Sequence, residues 1–207
     1  MIRQAGSQPA KQRRKIKWRG HEILRIEAFS DAVFAFAITL LVISLEVPKT
    51  FEELISGMRG ISGFAVCFGL IVLIWHEQYI FFRMFFLKDT MTIILNTILL
   101  FVVLCYVYPL KFLFSLFLEG NHVIENGKLI EKISSFEQVK QLMIIYGLGF
   151  SLVYFVLLLL YINAWSHRNE IQLTTIEQFY TKSELYKQLI MVIIGLTTIL
   201  TAYIIPI

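Results

Sequence analysis

The sequence predicts an all-α integral membrane protein, a helical bundle that crosses the bilayer several times. Of its 207 residues, 57% are hydrophobic and 16% are charged, whereas an ordinary soluble domain carries about 25% charged residues. Five apolar runs have the roughly 20 residues needed to cross a hydrocarbon core about 30 Å thick. The 19 lysines and arginines lie in the N-terminal tail and at the flanks of those runs.

Residues 1–24 read as a basic tail. They hold Lys11, Arg13, Arg14, Lys15, Lys17 and Arg19 among Gly, Ser and Pro, too little apolar surface to fold alone, so the tail is expected to be solvated. Residues 25–207 read as one transmembrane domain. Its runs cover about Ile26 to Val47, Ile61 to Phe86, Met91 to Leu118, Val139 to Trp165 and Leu185 to Ile207. Pro48 stops the first run, and an amphipathic connector, Lys49 to Gly60, follows it. Polar stretches over 119–138 and 166–184 read as connectors.

Cytoplasmic flanks carry the excess of positive residues. With the N-terminus inside, the inner flanks hold thirteen of the 19 lysines and arginines, including Arg25, Arg83, Lys88, Arg168, Lys182 and Lys187. The outer flanks hold Lys49, Arg59, Lys111, Lys128, Lys132 and Lys140. The N-terminus is therefore expected in the cytoplasm. The net charge of +4 does not imply nucleic acid, because the basic cluster adjoins a span and lacks interleaved aromatics for base stacking. Cys67 and Cys105 sit inside apolar runs and read as small hydrophobes, with no disulfide or metal site expected. The first run is too long for a signal-peptide core and is expected to be retained.

Within the first run, a helical wheel set to zero at Arg25 gathers Phe29, Ala32, Phe36, Thr39, Leu40 and Ile43 within about 60° on either side. A polar Thr39 among bulky apolar side chains, in line with a cation, fits a conduit whose apolar narrowing gates ions by dewetting. Lipid-facing or packing surface is the simpler reading of the same stripe. Asp31 falls at about 240° on this wheel and is expected to face helices of its own subunit. Ser30 and Asp31 lie about one turn inside the run, where an ionisable group needs a partner or a function.

In the second run, Trp75 is followed by His76, Glu77 and Gln78. A contact from Asp31 to His76 or Gln78 is expected, and His76 reads as a structural histidine, since no second ligand stands four residues away. In the third run, Asn96 is suited to hydrogen bonding between helices, and Pro109 to a kink or a helix end. In the fourth, Gly147 and Gly149 read as small residues for close helix packing, because a carbonyl-lined filter loop requires irregular backbone. No nucleophile motif or metal spacing supports an enzyme. The alternative to a channel is a secondary transporter or proton-coupled carrier using Asp31, His76 and Glu77 as a relay.

Arg25, Phe29, Ser30 and Asp31, followed by Ala35, Phe36, Ala37, Ile38 and Thr39, resemble the first-helix signature of the transmembrane protein 175 family of potassium channels. Trp75 with the polar residues after it, Asn96 and Pro109 extend the resemblance to about residue 118. The resemblance implies a potassium-permeable channel without the usual filter loop, needing no cofactor and no metal beyond permeating potassium. It implies a homotetramer around a central pore in a prokaryotic cell membrane. It also implies six membrane helices, against the five apolar spans counted here. Position by position, it makes Phe36 the apolar constriction, Thr39 the polar layer tied to potassium preference, and Leu40 and Ile43 further pore positions. Arg25, Phe29, Ser30, Asp31, Trp75, His76, Gln78 and Asn96 correspond to a network that holds the first helix. Two positions depart from the pattern: Phe36 is aromatic where an aliphatic residue is usual, and Gln78 stands where a histidine is expected, with His76 displaced by two.

Overall fold

The computed structural model describes residues 19, 22–42, 49–51, 54, 55, 58, 61–120, 122–125 and 128–204. Ile43 and most of the 1–24 segment lie outside the described residues. The described chain forms helices α1 (Arg25–Val42), α2 (Ile61–Phe85), α3 (Thr90–Glu119), α4 (Phe136–Ser166) and α5 (Thr175–Ile204). Four of them, α2 to α5, are long and apolar enough to cross a membrane. The described part of α1 is 18 residues long and carries Arg25, Glu27 and Asp31.

Side chains near the helix ends fix the boundaries. Asp89 caps α3, its carboxylate accepting from the Thr92 N–H at 3.0 Å and the Thr92 hydroxyl at 2.6 Å. Ser135 caps α4 by accepting from the Gln138 N–H at 3.3 Å. α2 ends where Phe86 adopts a left-handed backbone conformation (φ 51°).

Two connectors differ from expectation. α5 begins ten residues before the apolar run, at Thr175. The reason is a capping box: Glu177 accepts from the Thr174 N–H at 3.0 Å, and the Thr174 hydroxyl accepts from the Glu177 N–H at 3.4 Å. The 119–138 stretch contains an antiparallel hairpin, β1 (His122–Glu125) with β2 (Lys128–Glu131), in a register that pairs Glu125 with Lys128. The intervening Asn126-Gly127 is the strongest short-range hairpin signal a sequence carries.

α1 packs on α2 and α3, α3 packs on α4, and α4 forms an antiparallel pair with α5. That last pair approaches closely through glycines. A Cβ on Gly195 would lie 3.0 Å from the Gly147 carbonyl oxygen, and one on Gly147 would lie 2.8 Å from Ile199 Cγ1. Gly149 leaves room for the Tyr106 ring. α3 runs through Pro109 rather than ending there, and the Pro109 carbonyl accepts from Tyr146 Oη of α4 at 2.7 Å. The core is largely aromatic at the α2–α4 contact, where Tyr161 meets Phe81 and Phe85 edge-on at 5.4 and 5.7 Å. Large apolar side chains face outward along every helix, as a lipid environment allows.

Arg19, which the sequence reading places in a solvated tail, is half-buried and held by contacts. Its guanidinium donates to Glu177 Oε2 at 2.9 Å and to the Met84 and Gln172 carbonyls at 3.3 Å each, tying the chain before α1 to the end of α2 and the start of α5.

Candidate functional site

α1 has two faces. Glu27, Ser30, Phe34, Ala37 and Leu41 are buried against α2 and α3. The opposite side presents Arg25, Phe29, Ala32, Phe36 and Thr39 as exposed side chains, with Leu40 half-buried. Phe36 is 55% exposed, whereas Phe34, two residues earlier, is 2% exposed. The exposed residues include those of the wheel stripe, but Ala28, Ala35 and Val42 beside it are exposed as well, and so is Asp31, which the wheel turns toward the helices of its own subunit. The Thr39 hydroxyl donates to the Ala35 carbonyl at 2.9 Å, which leaves its oxygen lone pairs free to accept.

Behind this face, two sets of contacts hold α1. In the first, buried Asn96 donates from Nδ2 to Ser30 Oγ at 2.9 Å and accepts from Gln78 Nε2 at 2.6 Å. The Ser30 hydroxyl in turn donates to the Ile26 carbonyl at 2.7 Å. Ser30, Gln78 and Asn96 are each at most 1% exposed, so α1, α2 and α3 meet at one polar triad. In the second, Trp75 Nε1 donates to Asp31 Oδ1 at 2.7 Å. The Trp75 ring stacks on Tyr79 at 5.6 Å, and Arg83 lies over Tyr79 at 5.3 Å. Arg83 also lies 3.8 Å from the Glu27 carboxylate, which closes a circuit between α1 and α2.

Several expectations change here. The partner of Asp31 is Trp75, not His76 or Gln78: Gln78 turns to Asn96, and His76 is exposed. Arg25 and Phe29 are also exposed and take no part in either set of contacts. No hydrogen bond or ion pair links the described residues Asp31, His76 and Glu77 to one another. Glu77 instead receives the Lys187 ammonium of α5 at 2.8 Å and Gln188 Nε2 at 3.1 Å, and Lys187 also pairs with Glu184.

Sequence reasoning missed Glu27 and the Glu184–Lys187 pair. Glu27 sits three residues after Leu24 and accepts its N–H at 3.2 Å; its wheel position beside Ser30 and Phe34 is the signal that could have found it. Lys187 reads as a flank charge until α5 is known to begin at Thr175, which places it three turns inside the helix. At the end of the bundle where α1 begins, Asn163 of α4 donates to Asp89 Oδ2 and to the Thr92 hydroxyl, both at 3.0 Å. Burial pushes the Asp89 carboxyl up, but the hydrogen bonds from Thr92 and Asn163 outweigh it and hold the group below the usual carboxylate value.

The fold and this arrangement define a polytopic helical membrane protein whose first helix is braced on one side and open on the other. The family profile described as "Endosomal/lysosomal potassium channel TMEM175" matches residues 25–106. A potassium channel of Marivirga tractuosa is 44% identical over 194 residues, covering 91% of this chain and 78% of that protein. A potassium channel of Streptomyces collinus is 33% identical over 91 residues, 41% of this chain and 44% of that protein. A crystal structure of a variant of the potassium channel MtTMEM175 superposes with a TM-score of 0.80 at 40% identity, over 98% of this chain and 87% of that one. A lysosomal potassium-selective channel homologue from Chamaesiphon minutus shares the fold, with a TM-score of 0.52 at 24% identity over 86% of this chain and 93% of that one. The chain belongs to the TMEM175 family of potassium channels. It is an integral membrane protein and not an enzyme.

Proposed function

We propose that this chain forms a potassium-permeable channel whose conduction path is lined by the exposed stripe of α1, four copies placing their α1 helices around a central axis. One observation carries the reading: α1 buries Glu27, Ser30, Phe34, Ala37 and Leu41 while leaving Phe29, Phe36 and Thr39 uncovered in the single copy. In a homotetramer those uncovered residues converge. Phe36 forms an apolar constriction, where an ion must shed water with nothing to replace it. Thr39, about one turn further along, supplies a ring of hydroxyl oxygens whose protons are already donated to the Ala35 carbonyl. Such a ring offsets part of the dehydration cost of a cation without a filter loop. Leu40 and Ile43 continue the lining. The triad Ser30–Asn96–Gln78 and the Asp31–Trp75 bond support this reading, since a pore-lining helix must be held from behind.

Residues 1–24 form a basic segment on the cytoplasmic side, in accord with the excess of lysine and arginine at that end, and the membrane is that of a prokaryotic cell. The test is a bi-ionic reversal potential of the purified protein in planar bilayers. A potassium preference that falls in Thr39→Val with conductance largely kept supports the assignment. An unchanged permeability ratio removes Thr39 from the path, and slow, proton-coupled uptake without channel currents favours a carrier.

A further inference from the structure

A second feature lies between α4 and α5, which are not the helices that α1 packs on. A groove of about 570 Å³ runs between them, lined on one side by Leu158, Ile162 and Trp165 and on the other by Lys182, Leu185, Tyr186 and Leu189. The spacing on α4 is four then three residues, one helical face. The helices are antiparallel, so Trp165 lies level with Lys182 and Leu158 level with Leu189. The groove is therefore cationic at one end and apolar for about 10 Å beyond it, at 1.5 Å of rise per residue.

Two cations share the indole at the charged end. Arg168 Cζ lies 5.1 Å and Lys182 Nζ 5.2 Å from the Trp165 ring centroid. Arg168 donates to the Trp165 carbonyl at 3.1 Å. Among the described residues, neither cation has a carboxylate within ion-pair distance, whereas Arg19, Arg83 and Lys187 each do. Two positive charges thus stand uncompensated where a span reaches the headgroup region, a depth to which tryptophan is itself suited. Whatever fills the groove must be apolar along Leu158, Ile162 and Leu189 and anionic at Lys182 and Arg168.

We infer that this groove binds an anionic phospholipid, its headgroup between Lys182 and Arg168 and one acyl chain lying along the α4–α5 seam. Basic pockets between transmembrane helices select acidic headgroups through this pairing. The site is separate from the conduction path and does not depend on it.

The test uses the purified full-length protein, titrated in detergent with phosphatidylglycerol or phosphatidylcholine and read by native mass spectrometry. The wild type is expected to prefer phosphatidylglycerol. The double variant Arg168→Gln/Lys182→Gln is expected to lose roughly 25-fold of that preference, about fivefold per charge removed. Lys111→Gln/Lys140→Gln, which removes two charges elsewhere, is expected to keep it. Equal binding of the two lipids by the wild type, or a preference that survives in Arg168→Gln/Lys182→Gln, overturns the inference. A second measurement needs no charge change: excess quenching of tryptophan fluorescence by brominated phosphatidylglycerol over brominated phosphatidylcholine should vanish in Trp165→Phe. Excess quenching that persists through the other tryptophans, Trp18 and Trp75, also overturns it.

Discussion

Asn96 on α3 donates to the Ser30 hydroxyl on α1 at 2.9 Å, in a position where both residues are fully buried. The same carboxamide accepts from Gln78 of α2, so one side chain satisfies groups on two other helices. Asn96→Leu leaves the Gln78 amide and the Ser30 oxygen without their partner in an apolar interior. The expected loss is about 1–3 kcal/mol, the desolvation penalty of an unsatisfied buried group, read as a lower melting temperature in detergent. An unchanged melting temperature would mean that the triad adds nothing to holding α1.

Glycine substitutions should separate by position. Gly195→Ala places a methyl against Ser151 and within 3.0 Å of the Gly147 carbonyl, forcing α4 and α5 apart at a cost of about 1–3 kcal/mol. A Cβ on Gly69 meets nothing within 4 Å, so Gly69→Ala should be neutral or stabilising by up to about 1 kcal/mol from helix propensity. Thermal melts of the two variants beside the wild type check the contrast.

Asp89 gives the fold an acid dependence. A carboxyl held below its unfolded value contributes stability that is complete above that value and lost as pH falls through the folded one. Asp89→Asn should therefore be less stable than the wild type at neutral pH, and the gap should narrow once pH drops below the ordinary aspartate value of 3.8. Melting temperatures of both proteins across that range provide the check. A gap independent of pH would show that the Thr92 and Asn163 bonds do not depend on the charge.

The uncovered stripe of Phe29, Phe36 and Thr39 on α1 was legible in the sequence as 3.6-residue periodicity, whereas the burial of Glu27 and the exposure of Asp31 were not. Nor was partner choice. Asp31 reaches Trp75 rather than Gln78 because Gln78 is drawn to Asn96 on a third helix, a competition that no single-helix wheel contains. The early start of α5 was encoded in Thr174 and Glu177, but hydropathy hides it, because the first turns are polar and are held by Arg19 from before α1. The hairpin was encoded in Asn126-Gly127, a local signal outside the apolar runs.

If the exposed stripe of α1 lines the ion path, a polar side chain at Phe36 should change ion flux where the same change off the stripe does not. Phe36 and Phe101 are both exposed in the single copy, at 55% and 67%, but only Phe36 lies on the stripe. The wheel-opposite Phe34 is buried and its loss would disturb the fold, so Phe101 is the better control. Basal potassium flux from proteoliposomes should rise in Phe36→Asn, because a polar ring admits water and lowers the barrier to a dehydrating ion, and should stay at the wild-type level in Phe101→Asn. Equal effects of the two substitutions, or a lower flux from a Phe36→Asn protein that remains a tetramer by gel filtration, would mean that the stripe does not line the ion path.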